Sequence, residues 1–587
     1  MVQLSDGIDT LYENRKKFII IGLTGRTGSG CSSAAQILSK SVENITLPKP
    51  KLCGESNDRK YKIIYDFAQN NWEQFHWIQI KTIITSFILD NPYVDFEDYV
   101  SKTLATATLP KDVIREQLQK TIKDKYISLH KKRDELNKSR KKLEASNTIK
   151  KDQIEARREK SYDFYFKTLP VFTNELKETL NILSGNSYTK VYQLIGDNIR
   201  SSGKAFDSHF NAKNIYRISI RVNKIIKIFT KRAKKNKDNV YIVIDTFRNP
   251  FEAIFFRERY AAFYLLSINT KNAHREHRLK KMLSLTDDQL TEIDEKEGEQ
   301  SYNDEKFFIS QNIPKCIELS DIHINNPHVA EDDFSTLKKQ LAWYVSLIMH
   351  PGLIAPSREE RCMQMAYNAK LASGCLSRQV GATIANESNS IQAIGWNDPA
   401  HGQSPCLLRN VKDLINSEDT GVYSKYEKNN KKFRDELKRK YEKALADPNL
   451  VKKLCGRNVS YCFKKIQNEV DKKKNKGGNQ VYTRSLHAEE NAFLQIVKYG
   501  GAGIKGGKLY TTASPCELCS KKAYQLGIKD IIYIDPYPGI AKDHILRIGT
   551  EAPKLTLFHG AIGRAYNQLF EPVIPYKDEL EMILSKK

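Results

Sequence analysis

Apolar positions fall into two sets of short runs, each followed by positions that repeat with helical spacing. The first set opens with a strand-like run from Lys17 to Leu23. It passes into Gly25-Arg26-Thr27-Gly28-Ser29-Gly30-Cys31-Ser32 and on to a helical pattern from Ser33 to Leu38. Val240 to Ile244 is a fully apolar strand ending in Asp245; Arg248-Asn249-Pro250-Phe251-Glu252 leads into a helix, and Phe263 to Ile268 is a further strand. These pieces define an α/β domain over residues 1–330. Lysine-, arginine- and glutamate-rich sequence from Lys120 to Lys160 predicts a charged helical insertion at about 115–165. Ile225, Ile226, Ile228 and Phe229 within the basic stretch Lys224 to Lys237 predict a helix with one packed face. Residues 331–355, with Pro351 and Pro356 as breakers, read as a linker.

The second set occupies residues 356–587. A helical pattern from Arg358 to Ala372 precedes Ser373 to Ala382, which turns into a strand, and Ile391 to Gly395 supplies its antiparallel partner. A polar insertion runs over about 401–480. Helices are then expected from His487 to Lys498 and from Cys516 to Leu526, with strands at Lys508 to Thr512 and Asp530 to Ile534. The order β-β-α-β-α-β predicts a mixed sheet flanked by helices.

Composition narrows the class. A chain of 587 residues with 40% hydrophobic content can build two or three cored domains. The net charge of +25 favours encounter with polyanions and phosphorylated molecules. Phe18 to Leu23 is too short to span a bilayer, so a cytoplasmic protein without a membrane segment is expected. Ten cysteines spread over this length do not make a disulfide framework, and the single close pair, Cys516 and Cys519, reads as metal ligation in a reducing compartment.

The candidate chemistry is densest in two short segments, His487-Ala488-Glu489 and Pro515-Cys516-Glu517-Leu518-Cys519. They match the zinc nucleobase-deaminase signature. One imidazole (His487) and two thiolates (Cys516, Cys519) leave a fourth tetrahedral Zn2+ position open, as catalysis requires, and Glu489 stands where a proton carrier is needed. A structural zinc site would want a fourth Cys or His instead. In the first half, Gly25 to Gly30 has the spacing of a phosphate-binding (Walker A) loop between a strand and a helix, with Gly25, Thr27, Gly28, Ser29, Gly30 and Ser32 as candidate contacts and Asp245 where the Walker B carboxylate of a nucleotide and Mg2+ site would stand. Cys31 occupies the place where that motif has Lys. An ordinary glycine turn remains the competing reading, and the half is placed among P-loop nucleoside-kinase-like domains.

From Arg358 to Ile545 the chain resembles the deoxycytidylate deaminase branch of the cytidine deaminase-like family. Four blocks carry the resemblance: Ser377 to Ala382, Gly395-Trp396-Asn397, His487 to Ala492 and Ser514 to Cys519. Joined to a P-loop half, these blocks are similar to the bacterial anti-phage dCTP deaminases. The resemblance implies a cytidine deaminase-like α-β-α domain and zinc-dependent conversion of dCTP, and of dCMP, to deoxyuridine nucleotides, depleting dCTP during phage infection. It places Asn397 at the sugar 3′-hydroxyl, Ser377 and Arg378 near sugar and phosphates, Ser514 at the base and Tyr537 over the nucleotide. A turn-forming Asn397, an exposed structural Arg378 and a core Tyr537 are the plainer readings. The resemblance also implies a homo-oligomer, and Cys406, Cys455 and Cys462 admit a second zinc or simple burial. A regulatory nucleotide and, given the charge, an inhibitory RNA are the further partners considered. Two other functions fit the same residues: a deaminase of single-stranded DNA or RNA using the basic stretches, and a nucleotide-sensing effector whose deaminase half only binds.

Overall fold

The structure is a computed structural model and describes residues 4–51, 53–145, 151–283, 285–298, 304–327, 334–472, 482–501, 503–534 and 541–584. It forms two units, Met1–Ala355 with Arg564–Lys587, and Pro356–Gly563.

In the first unit, helix α1 (Leu4–Lys17) leads into strand β1 (Phe18–Thr24). Strands β2 (His76–Gln79), β3 (Val240–Asp245), β4 (Phe263–Asn269) and β5 (Ile322–Asn325) join it in the order β5-β4-β1-β3-β2, and every pairing among them is parallel. β3 and β4 are buried along their whole length, which is why both read as unbroken apolar runs: helices cover both faces of such a sheet. The order reverses direction at β1. The glycine loop that follows β1 and opens helix α2 (Cys31–Leu38) therefore lies at the switch point beyond the strand ends, where open α/β sheets bind ligands.

Helices α3 (Lys123–Ala145) and α4 (Lys151–Asp163) supply the charged pair expected between these strands. In α5 (Arg217–Asn236) Ile218, Val222, Ile225, Ile226 and Phe229 are buried while Lys224 and Lys227 face solvent. Helices α6 (Asn272–Leu283) and α7 (Asp287–Glu297) follow β4, with Leu279, Leu285, Leu290 and Ile293 forming a small core of their own.

Two boundaries differ from the sequence reading. Most of the expected 331–355 linker is helix: α8 (Ser335–Met349) buries Leu337, Leu341, Val345 and Ile348 in the first unit. The prolines taken as breakers lie beyond the end of that helix. Residues 564–587 belong with the first unit and not with the deaminase-like half. Buried Glu579, on the Tyr576–Leu584 helix, accepts a hydrogen bond from the Tyr12 hydroxyl at 3.1 Å and meets His350 Nε2 at 2.8 Å.

The second unit begins with α9 (Arg358–Leu371), N-capped by Ser357 in a reciprocal capping box with Glu360. Its elements continue as β6 (Gly381–Ala385), β7 (Ile391–Trp396), α10 (Ala488–Tyr499), β8 (Lys508–Thr511), α11 (Glu517–Gln525), β9 (Asp530–Tyr533) and β10 (Lys554–Leu557). The sheet order is β10-β9-β8-β6-β7, antiparallel where β6 meets β7 and β8, parallel elsewhere. The expected mixed sheet is thus present. The insertion before α10 is more than a polar loop: Val411, Leu414, Phe433, Leu437 and Ile466 form a separate core, beside which buried Arg409 donates hydrogen bonds to the Glu427 carboxylate and the Tyr461 hydroxyl. Among the described residues no helix is long and apolar enough to cross a membrane.

Candidate active site

Backbone packing sets the position of the first ligand. A Cβ on Gly395 of β7 would stand 2.3 Å from the Ala488 carbonyl oxygen and 2.5 Å from the Ala492 nitrogen, so glycine lets α10 lie directly on the strand. The Asn491 side-chain amide donates to the Trp396 carbonyl at 3.0 Å, and the Leu486 N–H donates to the Asp398 carbonyl at 2.9 Å. His487, the N-cap of α10, is held between these two ties. Cys516 is the N-cap of α11 and Cys519 lies in its first turn, where the positive end of the helix dipole favours thiolate.

His487 Nδ1 is 3.2 Å from Cys516 Sγ and 3.5 Å from Cys519 Sγ, and the three ligand atoms all lie within 4.8 Å of one another. Zn–N bonds of about 2.0–2.1 Å and Zn–S bonds of about 2.3 Å give a tetrahedral edge of about 3.5 Å, so the donor set and its spacing fit zinc. A hydrogen bond from Cys519, and then one from His487, pulls the Cys516 thiol down to about 3, while the Cys519 thiol is pushed up by its hydrogen bond to Cys516 and by burial. His487 is raised, first by its hydrogen bond with Cys516.

Glu489 is 4% exposed. Its Oε1 accepts a hydrogen bond from the Thr511 hydroxyl at 3.2 Å, and burial raises its carboxyl above the ordinary range. Such a carboxylate takes and returns a proton closer to neutrality than an exposed one. Thr511, the last residue of β8, was not singled out from the sequence; its only signal there is its place on the strand that leads to Pro515-Cys516.

Other expected contacts are placed less uniformly. Asn397 is buried, and its side chain holds the preceding loop: Oδ1 accepts from the Val380 N–H at 2.7 Å and the Ser373 hydroxyl at 2.8 Å, while Nδ2 donates to the Arg378 carbonyl at 2.6 Å. Ser377 and Arg378 on that loop are exposed, and Ser514 is half-buried before Pro515. Tyr537 lies outside the described residues. Among the described residues His487, Cys516 and Cys519 form the one group of three or more His, Cys, Asp or Glu ligand atoms within 4.8 Å, so Cys406, Cys455 and Cys462 do not gather as a second metal site. Cys406 is buried, Cys462 half-buried and Cys455 exposed.

In the first unit the glycine loop brings several expected residues together. The Ser32 hydroxyl donates to Asp245 Oδ2 at 2.9 Å. Gly30 has φ 106°, and a Cβ there would stand 2.2 Å from Asn326 Nδ2, which donates to the Ser29 carbonyl at 2.8 Å. Cys31 is buried and its thiol is pushed up to about 12 by burial, so this position carries no charge at neutral pH. Thr27 and Ser29 lie on the same loop, beside Gly25 and Gly28. Cations come from elsewhere: Arg248 Nη2 donates to the Thr27 hydroxyl at 3.1 Å, Arg275 Nη1 to the Thr27 carbonyl at 3.2 Å and Arg278 Nη1 to the Ser29 carbonyl at 3.4 Å. The loop pattern alone gave no signal for Arg275 and Arg278, which lie on α6.

Comparison with known proteins agrees with the second-unit geometry. Residues 356–535 match the cytidine and deoxycytidylate deaminase zinc-binding region. The chain is 43% identical over 54 residues to ComE operon protein 2 of Bacillus subtilis, covering 9% of this chain and 28% of that protein. It is 25% identical over 192 residues to the deoxycytidylate deaminase of Schizosaccharomyces pombe, covering 32% and 41%. A third relative, the deoxycytidylate deaminase of Enterobacteria phage T4, is 42% identical over 52 residues, covering 9% and 26%. The chain thus spans less than half the length of these curated relatives. A solved dCMP deaminase from the cyanophage S-TIM5, in complex with dCMP and dUMP, aligns at 20% identity over 35% of this chain and 99% of its own, with a TM-score of 0.20. The family match spans His487, Glu489, Cys516 and Cys519 together, and residues 356–535 are accordingly a domain of the cytidine and deoxycytidylate deaminase family.

Proposed function

We propose that this protein hydrolytically deaminates free deoxycytidine nucleotides, dCTP and dCMP, to the corresponding deoxyuridine nucleotides with release of ammonia. The observation that carries the reading is the convergence of the His487, Cys516 and Cys519 ligand atoms, with buried Glu489 two residues after the first ligand. His487, Cys516 and Cys519 would hold Zn2+, which would supply a water of lowered pKa as the nucleophile for C4 of cytosine. Glu489 takes the proton released from that water, delivers it to N3, and protonates the departing amino group. Thr511 holds one carboxylate oxygen of Glu489 and so fixes the direction of transfer. Asn397 shapes the 373–380 loop, from which Ser377 and Arg378 would meet sugar and phosphate, and Ser514, two residues before Cys516, would meet the base.

In this reading the reaction lowers dCTP in the cytoplasm and so starves phage DNA replication. The first unit serves as a regulatory nucleotide site, with Ser32 and Asp245 as the Mg2+ side of the loop. The 5-4-1-3-2 strand order, the loop at the switch point and the Ser32–Asp245 hydrogen bond support that assignment. The uncharged Cys31 favours binding over phosphoryl transfer.

The test is ammonia release and base conversion by the zinc-loaded chain on dCTP, dCMP, CTP, cytidine and a cytosine-bearing single strand, beside Glu489→Ala. Conversion of dCTP or dCMP that disappears in the variant supports the proposal. Conversion of the strand alone replaces it with nucleic-acid editing. For the first unit, Ser32→Lys and Asp245→Ala are expected to weaken nucleotide binding, and unchanged binding in both removes the regulatory reading.

A further inference from the structure

The glycine loop already holds an anion, and it is the protein's own. Glu297, the last residue of α7, has no exposed surface. Its two carboxylate oxygens accept from the Thr27 N–H at 3.1 and 3.2 Å, and the Thr27 hydroxyl and Arg248 Nη1 also donate to it. One helical turn earlier, Asp294 pairs with Arg26 at 2.6 Å and with Arg275 on α6. A backbone N–H of the loop, a hydroxyl and a guanidinium converging on two oxygens are the contacts a bound phosphate receives.

Local energetics run against this arrangement unless something else calls for it. Both carboxylates sit in the final turn of α7, at the negative end of the helix dipole, where acidic side chains are disfavoured. The helix is otherwise well specified, with Thr286 and Gln289 forming a reciprocal capping box and Leu290 and Ile293 packed against Leu279 and Leu285. Leu279 in turn lies over Gly28, where a Cβ would meet its side chain at 2.8 Å. The helix is thus tied to the loop directly by two carboxylates and indirectly through Leu290 and Ile293, which cluster with Leu279 over Gly28, and only the carboxylates occupy groups that an anionic ligand would need.

We propose that α7 is an internal plug in which Glu297, backed by Asp294, stands in for a phosphate of the nucleotide, so that a triphosphate entering the loop must displace the α7 C-terminal turn and release Arg248 and Arg275. The inference rests on the reading of the loop as a nucleotide site and adds that the site is self-inhibited. Binding energy is then divided between the ligand and the displaced turn, which lowers apparent affinity by the fraction of molecules already open.

The experiment uses the full chain and inorganic triphosphate with Mg2+. Glu297→Gln is expected to tighten triphosphate binding by at least about tenfold, because the competing charge is gone. The substitution also leaves Arg248 without its buried partner, so a second measurement is made on the wild-type chain: backbone hydrogen exchange over residues 287–297 is expected to accelerate on saturation with triphosphate. Equal affinity of wild type and variant, or slower exchange in α7 with ligand, overturns the plug while leaving the nucleotide site intact. Absence of triphosphate binding by wild type and variant alike overturns the nucleotide site and the plug together.

Discussion

At the scale of single residues, two buried titratable groups have opposite lessons. Glu489 is buried next to its task, and Glu489→Gln keeps its shape and its Thr511 contact while removing the proton acceptor. Turnover is expected to fall by roughly 10²- to 10⁴-fold with zinc content unchanged, measured by steady-state deamination and metal analysis on the same preparation. His323 is buried in β5: its Nδ1 meets the Ser267 hydroxyl at 2.7 Å, and burial lowers its pKa to about 3. The unfolded chain, with an ordinary imidazole near 6.5, binds this proton first. Stability is therefore full above about pH 6.5 and is lost as pH falls towards 3, about 2 kcal/mol of it between pH 8 and pH 5. Urea unfolding followed by tryptophan fluorescence, to which Trp72, Trp77 and Trp343 of the same unit contribute, should show a flatter pH dependence over that range in His323→Gln.

At the scale of elements, the site depends on how closely α10 approaches β7. Gly395→Ala places a methyl against the Ala488 carbonyl and the Ala492 nitrogen, so the helix must move, carrying His487 with it. The expected result is a loss of about 1–3 kcal/mol in stability and a lower zinc occupancy, read by thermal unfolding and metal titration. This scale also marks what the sequence discloses. His487, Glu489, Cys516 and Cys519 were legible because their spacing encodes coordination chemistry, and β3 and β4 because strands covered on both faces leave no polar interruptions. Helix α8 is hidden in the sequence because the most conspicuous signals nearby, Pro351 and Pro356, mark a break that falls after it. Thr511 and Glu297 were invisible for a different reason: each acquires its role from a partner far along the chain, 22 residues away for Thr511 and 270 for Glu297. The role of Asn397 lay between these cases. Its position was legible, but its hydrogen bonds to Val380, Ser373 and Arg378 were not.

At the scale of the whole molecule, the chain leaves the first unit at Ala355 and returns to it at Arg564. The returning segment has structural weight, since Glu579 is 4% exposed and bonded to both Tyr12 and His350. A chain ended after Gly563 would uncover the Tyr12 and His350 rings, which stack at 4.2 Å, and remove their shared acceptor. Its first unit is expected to unfold at lower temperature and to be cut faster by protease than in the longer chain, with Glu579→Gln giving a smaller shift in the same direction. The tie has a consequence in time as well as in stability. A ribosome delivers residues 356–563 in one continuous stretch, so the zinc-binding unit has every residue it needs as soon as Gly563 has emerged. The unit that surrounds it in sequence was begun earlier, yet it must hold α1 and α8 without their last partner until Glu579 arrives. During synthesis the older half is therefore the later one to close, and its exposed seam is where a chaperone or a protease would find the nascent protein.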